Sequence, residues 1–235
     1  MTGDISLAAQ QFFHVTKNTT WLQREGFALI EGIARFWASK AVLNSDGSYS
    51  IAQTQSPDEY HTNVTDSVFT NSVAKQSLLG AYELASAAGV KPNATFKNVA
   101  DRLRILYSKE RDFHPAYING RSGEVYNATC VPQRGGGLSG GQCEVLADGG
   151  KIKQADVVLI YFPLMVDGVA PSTQRRDLDL YSRLTDINGC VGPCPCPCPC
   201  RLTTSHAARV SRAIRSPAAD CADALLALPP SLPPS

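Results

Sequence analysis

The chain is divided by its cysteines: all eight lie at or beyond Cys130, and the 129 residues before it contain none. Four of them alternate with proline in Cys194-Pro195-Cys196-Pro197-Cys198-Pro199-Cys200. A second compositional break, Gly135-Gly136-Gly137-Leu138-Ser139-Gly140-Gly141, reads as a flexible, linker-like tract. No Lys-Ser or Lys-Thr follows it at the spacing of a phosphate-binding loop. These breaks confine packed structure to two stretches. The expected organisation is residues 1–121, a flexible insertion over 122–150, a continuation over 151–188, and a low-complexity, disordered tail over 189–235. The Cys/Pro run offers four thiolates, but alternating proline stiffens the backbone and no histidine-bearing or Cys-x-x-Cys frame accompanies it, so no metal site is expected there.

Inside the cysteine-free stretch the apolar residues recur at helical spacing. A helix is predicted over 4–15, with Ile5, Ala8, Ala9 and Phe12 on its buried face. Leu7 and Phe13 lie off that stripe and point to burial on more than one side. A second helix, capped by Thr19 or Thr20, should run from Trp21 to about Lys40 through Leu22, Phe27, Leu29, Ile30, Ile33, Phe36 and Trp37. A third is predicted from Ser67 to Ala88, stopped by Gly89, and a fourth from Phe96 to Tyr107. Asn44–Ser50 contains Asp46-Gly47 and reads as a turn, followed by a short extended piece at Tyr49-Ser50-Ile51. Periodic apolar sequence returns between Lys153 and Asn188. The fold class is all-α, built from antiparallel helical hairpins whose loops carry the unusual residues.

One such loop is Ser56-Pro57-Asp58-Glu59-Tyr60-His61. Proline fixes its own φ and turns the preceding residue away from helix, so the loop is stiff and able to present a carboxyl group for acid–base chemistry. A net charge of +1 argues against a nucleic-acid partner, no apolar run reaches the length of a membrane span, and neither partner is expected. No secretion signal is read at Met1-Thr2-Gly3-Asp4, which makes the cytoplasm the default compartment. The sequons at Asn18, Asn63, Asn93 and Asn127 are accordingly read as chance matches.

Taken in order, Gly3-Asp4-Ile5, Phe36-Trp37-Ala38-Ser39-Lys40, Asp46-Gly47-Ser48-Tyr49, the Ser56–His61 loop, Phe69-Thr70-Asn71, Val99-Ala100-Asp101, His114-Pro115 and Lys153-Gln154-Ala155-Asp156-Val157-Val158 resemble the catalytic domain of glycoside hydrolase family 65. The resemblance covers roughly residues 2–121 and 151–188. It implies a partial (α/α)6 barrel, a carbohydrate substrate and no cofactor. Inverting hydrolysis of an α-glucoside is implied, with phosphorolysis of a disaccharide, or an inactive fragment of such an enzyme, as the alternatives. By the same resemblance Glu59 is the general acid, Lys153 and Gln154 hold the sugar at the cleaved bond, and Trp37 and Asp58 line the pocket, with packing within a barrel helix as the favoured alternative for Trp37. Serine rather than glycine at position 56 resembles the family's hydrolases, and the Ser56–His61 run, Thr70-Asn71-Ser72-Val73 and the Lys153-Gln154 segment are similar to its animal members acting on glucosylgalactosyl-hydroxylysine. An inverting acid must be protonated, through burial or a neighbouring charge, and Asp58 is a source of such charge if its side chain points the same way. Neither the resemblance nor the sequence supplies a catalytic base. A chain holding part of a barrel is also expected to leave apolar faces uncovered. His61 and His114 are expected to order loops by hydrogen bonding.

Overall fold

The computed structural model describes residues 2–126, 130–131, 144–145 and 151–186. The insertion expected at 122–150 falls mostly outside these residues, and the tail expected at 189–235 falls wholly outside them. The described part is helix-rich. Its elements are α1 (Thr2–Thr16), α2 (Thr19–Trp21), α3 (Phe27–Lys40), α4 (Val68–Leu84), α5 (Ala94–Arg102) and α6 (Pro171–Leu184). Three antiparallel pairs of two-residue strands join them: β1 (Val42–Leu43) with β2 (Tyr49–Ser50), β3 (Val64–Thr65) with β4 (Ile118–Asn119), and β5 (Cys130–Val131) with β6 (Glu144–Val145).

The second predicted helix exists but is interrupted by a π turn over Leu22–Gly26. Gly26 lies directly under the Trp21 ring, and an added Cβ would stand 2.5 Å from Trp21 Cζ3, so only glycine lets the ring fold across the turn. Helix α4 is the central element, packed against α1, α3 and α5. Ser67 caps it by accepting a hydrogen bond from Thr70 N at 3.3 Å. Ala9, Phe13, Ile30, Ala34, Trp37, Ala74, Leu78, Phe96 and Val99 belong to the first core cluster.

Two helical expectations are corrected. The apolar stripe of α1 faces the core only at Ala9: Ile5 is 51% and Phe12 46% exposed. Gly3, Ser6 and Gln10 are buried beside it, and Phe13 is buried off the stripe as expected. The cause is close approach to α4. A Cβ on Gly3 would lie 1.8 Å from Val73 Cγ1, one on Gly80 2.1 Å from Gln10 Oε1, and Gln10 Nε2 donates to Ser6 Oγ at 3.0 Å. Small and hydrogen-bonded residues therefore make the contact that periodicity assigned to large apolar ones. Leu29 and Phe36 on α3 are likewise exposed.

The fourth helix ends at Arg102 rather than at Tyr107. Beyond it Leu103 is extended and bridges Tyr49, and Arg104 N donates to Tyr49 O at 2.9 Å. The Arg104 guanidinium reaches Asp46 at 2.9 Å and Asp66 at 3.5 Å, while Asn71 Nδ2 donates to Arg104 O at 2.7 Å. These tertiary bonds outweigh the helical preference of Ile105-Leu106.

A second core cluster contains Val64, Val68, Tyr117, Tyr126, Ile152, Val157, Ile160, Tyr181 and Leu184. Tyr126 is fully buried here, against Tyr117 and Tyr181. The segment before Lys153 is pinned to the end of α6: Ile152 N donates to Leu184 O at 3.2 Å and Asp186 N to Ile152 O at 2.8 Å.

Candidate functional site

The Ser56–His61 loop is closed at its base by two backbone hydrogen bonds between Thr54 and Val64, at 3.0 and 2.9 Å. Behind that closure, buried Asp66 accepts from Ser50 Oγ at 2.8 Å, Ile51 N at 3.1 Å and Asn71 Nδ2 at 3.1 Å. The β3–β4 pair braces the other side, where Gly120 passes so close to Asn63 that a Cβ would meet the Asn63 carbonyl oxygen at 2.0 Å. The loop tip is thus anchored on two sides while Glu59 remains exposed.

Lys153 and Gln154, some 95 positions downstream, converge on that tip. Lys153 Nζ lies 2.6 Å from Glu59 Oε2, and Gln154 Nε2 donates to Glu59 Oε1 at 3.0 Å. Glu59 N in turn donates to Gln154 Oε1 at 3.1 Å, so the carboxamide is bonded through both of its ends. Of the residues the resemblance singled out, these three stand together.

Asp58 points the other way. It is 2% exposed, with Oδ1 accepting from Lys153 N at 2.8 Å and from Tyr60 N at 3.3 Å. Its Oδ2 pairs with His61 Nδ1 at 2.6 Å. The His61 ring rests on Tyr117, centroids 5.0 Å apart. Asp58 therefore ties the loop to the backbone of the segment that carries Lys153, with its carboxylate committed to that task. Trp37 sits on α3 in the first core cluster, 9% exposed; its indole Nε1 has no hydrogen-bond partner among the described residues. The site beneath Glu59 belongs to the second cluster, through Tyr117 and Tyr126.

The electrostatics correct one expectation. A protonated acid called for a raised Glu59, but the Lys153 ammonium holds the Glu59 carboxyl below the usual carboxylate range, and the Gln154 hydrogen bond acts in the same direction. The negative charge of Asp58 opposes this and is outweighed, because its carboxylate is turned inward. The group pushed up is a different one. Asp156, fully enclosed and hydrogen-bonded by Ser56, is raised by burial to about 7, and the Asp58 charge acts in the same direction.

Sequence reasoning passed over Asp156, Tyr60 and Tyr117. Tyr60 OH donates to Asp186 Oδ2 at 3.2 Å, a second tie between the loop and the end of α6. Asp156 lay within a matched motif, and its signal was a carboxylate preceding the apolar run Val157–Ile160. A separate buried cluster orders the His114 loop. His114 Nδ1 lies 2.7 Å from Asp177 Oδ2, its backbone N donates to Asp177 Oδ1 at 2.9 Å, and Tyr161 OH donates to the same carboxylate. No group of three or more residues able to hold a metal is found among the described residues, nor any helix long and apolar enough to cross a membrane. An open recess of about 400 Å³ between Gln10, Ser72, Gln76 and Met165 shares no lining residue with the Glu59 site.

The family model for the "Glycosyl hydrolase family 65 central catalytic domain" matches residues 1–111. A protein-glucosylgalactosylhydroxylysine glucosidase from Danio rerio is 33% identical over 188 residues, which are 79% of this chain and 25% of that protein. A kojibiose hydrolase from Mucilaginibacter mallensis is 30% identical over 181 residues, 77% of this chain and 22% of the relative. Among solved structures, a chain described as a kojibiose phosphorylase from the human microbiome superposes with a TM-score of 0.60 at 17% identity, over 78% of this chain and 29% of its own length, which is a likeness of fold. The chain spans about a quarter of the length of the curated relatives it matches. Through residues 1–111, this chain belongs to the central catalytic domain of glycosyl hydrolase family 65.

Proposed function

We propose that this chain carries the acid half of an inverting α-glucoside-cleaving site, within part of an (α/α)6 barrel. The substrate class is glucosylgalactosyl-hydroxylysine or a similar glucoside. Glu59 is the proton donor to the leaving oxygen, Lys153 and Gln154 hold the sugar at the cleaved bond, and Asp58 positions both segments rather than touching sugar. Trp37 serves the helical core. The observation that carries this reading is the convergence of Lys153 and Gln154 on Glu59 across a large sequence separation. An ammonium and a carboxamide flanking a carboxyl group supply donors to sugar hydroxyls beside a proton donor to the glycosidic oxygen. An inverting reaction also needs a base about 6.5–9.5 Å from the acid. We assign none among the described residues.

A phosphorylase is the second reading, favoured by the fold likeness to a chain described as a kojibiose phosphorylase. The two are separated by product. Incubated with a glucosyl disaccharide, a hydrolase releases glucose with or without inorganic phosphate, whereas a phosphorylase yields glucose 1-phosphate only when phosphate is supplied. Glu59→Gln is expected to abolish either activity. Equal activity in the variant and the parent chain removes Glu59 from the mechanism, and absence of activity in both identifies the chain as an inactive part of such an enzyme.

A further inference from the structure

The proposed donor stands as an acceptor between Lys153 and Gln154. Both Glu59 oxygens accept a hydrogen bond, and one is paired with a cation at 2.6 Å. An acid in that state needs a proton before it can protonate a leaving group. The geometry shows where the proton's competitor goes. Lys153 and Gln154 are also the donors within reach of any polyhydroxylated ligand seated against Glu59. A hydroxyl oxygen accepts from an ammonium or a carboxamide just as a carboxylate does.

The two ties at this site differ in strength. The Glu59–Lys153 pair is exposed, with Glu59 56% and Lys153 25% accessible, and exposed ion pairs exchange readily. The Asp58–His61 pair and the Asp58 bond to Lys153 N lie underneath and are buried on the Asp58 side. The backbone of Lys153 is therefore held more firmly than the exposed ion pair made by its side chain.

We propose that ligand binding and proton uptake at this site are one event: a polyhydroxylated ligand that draws Lys153 and Gln154 onto its hydroxyls leaves the Glu59 carboxyl to take a proton, arming the donor only when the site is filled. This rests on the glucoside reading given above. The proton comes from solvent, Lys153 remains an ammonium throughout, and Glu59 later passes the proton to the departing glycosidic oxygen. The charged and titratable groups around Glu59 are compatible with the exchange. On its own loop stand Asp58, Tyr60 and His61; on the facing segment stand Lys151, Lys153 and Asp156; at the end of α6 stands Asp186. Once Lys153 is engaged elsewhere, the neighbouring Asp58 charge pushes the Glu59 carboxyl up.

The sign follows from linkage. A carboxyl that titrates higher when ligand is bound takes up a proton on binding, so affinity rises as pH falls between the two midpoints, by at most about tenfold per pH unit. The probe is glucose, titrated into the full chain by calorimetry between about pH 4 and pH 7, in two buffers with different heats of ionisation. The expected result is net proton uptake by the parent chain and none by Glu59→Gln, which still binds glucose. Carbon-13 detection of the Glu59 carboxyl in the unsubstituted chain should show its midpoint rising with glucose present. Glucose that binds with no proton uptake and no movement of that midpoint overturns the inference while leaving the glucoside reading intact. Uptake that persists in Glu59→Gln also overturns it. No glucose binding at all overturns both.

Discussion

Replacing Asp58 by alanine should damage the fold more than any other single change at the site. The carboxylate is 2% exposed and makes two short hydrogen bonds, to Lys153 N at 2.8 Å and to His61 Nδ1 at 2.6 Å, with a longer third from Tyr60 N at 3.3 Å. Bonds to an ionised acceptor contribute about 1.5–3 kcal/mol each, and removing one side of a buried pair strands its partner. Against this stands the relief of burying one carboxylate beside another, since the Asp58 charge is among the forces raising Asp156. The balance is a loss of about 3–4 kcal/mol, a large fraction of the 5–15 kcal/mol that ordinarily stabilises a domain. For a chain of this size that lowers the unfolding midpoint by about 6–16 °C. Urea and thermal unfolding followed by far-ultraviolet circular dichroism measure it. A double-mutant cycle with His61→Ala should return a coupling of about 1–3 kcal/mol, because the two side chains share one buried bond. A loss below about 1 kcal/mol, or costs that simply add, would falsify the positioning role given to Asp58.

Other perturbations test separate parts of the structure. Asp156 titrates near 7 in the fold against 3.8 for an unburied group, so the folded chain holds a proton that the unfolded chain has already released. Stability should therefore fall as pH rises from about 4 to 7, by roughly 4 kcal/mol as a ceiling, and Asp156→Asn should flatten that dependence. An unchanged slope in urea unfolding across this range refutes it. Gly120→Ala places a Cβ 2.0 Å from the Asn63 carbonyl oxygen, where backbone rather than a flexible side chain must move. It should cost about 1–3 kcal/mol and weaken the β3–β4 brace, and an unaltered melting temperature would count against that close approach. Glu59→Gln should leave the melting temperature in place, since its side chain is exposed; a marked drop would show that Glu59 holds the loop together.

The start of α4 at Ser67 was legible because it depends on a few adjacent residues, whereas the helix ends at Leu84, short of the Ala88 expected. The burial of α1 was not. Periodicity counts large apolar side chains, whereas this helix packs through Gly3 against Val73 and through Gln10, bonded to Ser6, against Gly80. Close approach rewards small size, which hydropathy does not register. The end of α5 was also hidden, since Arg104 is drawn out of helix by Asp46 and Asp66, both far earlier in the chain.

By itself the sequence determined that the cysteine-free stretch is helix-rich and that a proline-led loop between two of its helices carries Asp58 and Glu59. Local preference and an ordered set of short motifs suffice for that, because each signal lies within one helical turn or one loop. Only the tertiary structure decided which carboxylate faces solvent and which is buried, and which cation stands beside Glu59. Asp58 and Glu59 are adjacent in a turn yet face opposite ways, and a carboxyl group responds to the cation that folding sets beside it, here Lys153 from the start of the second stretch.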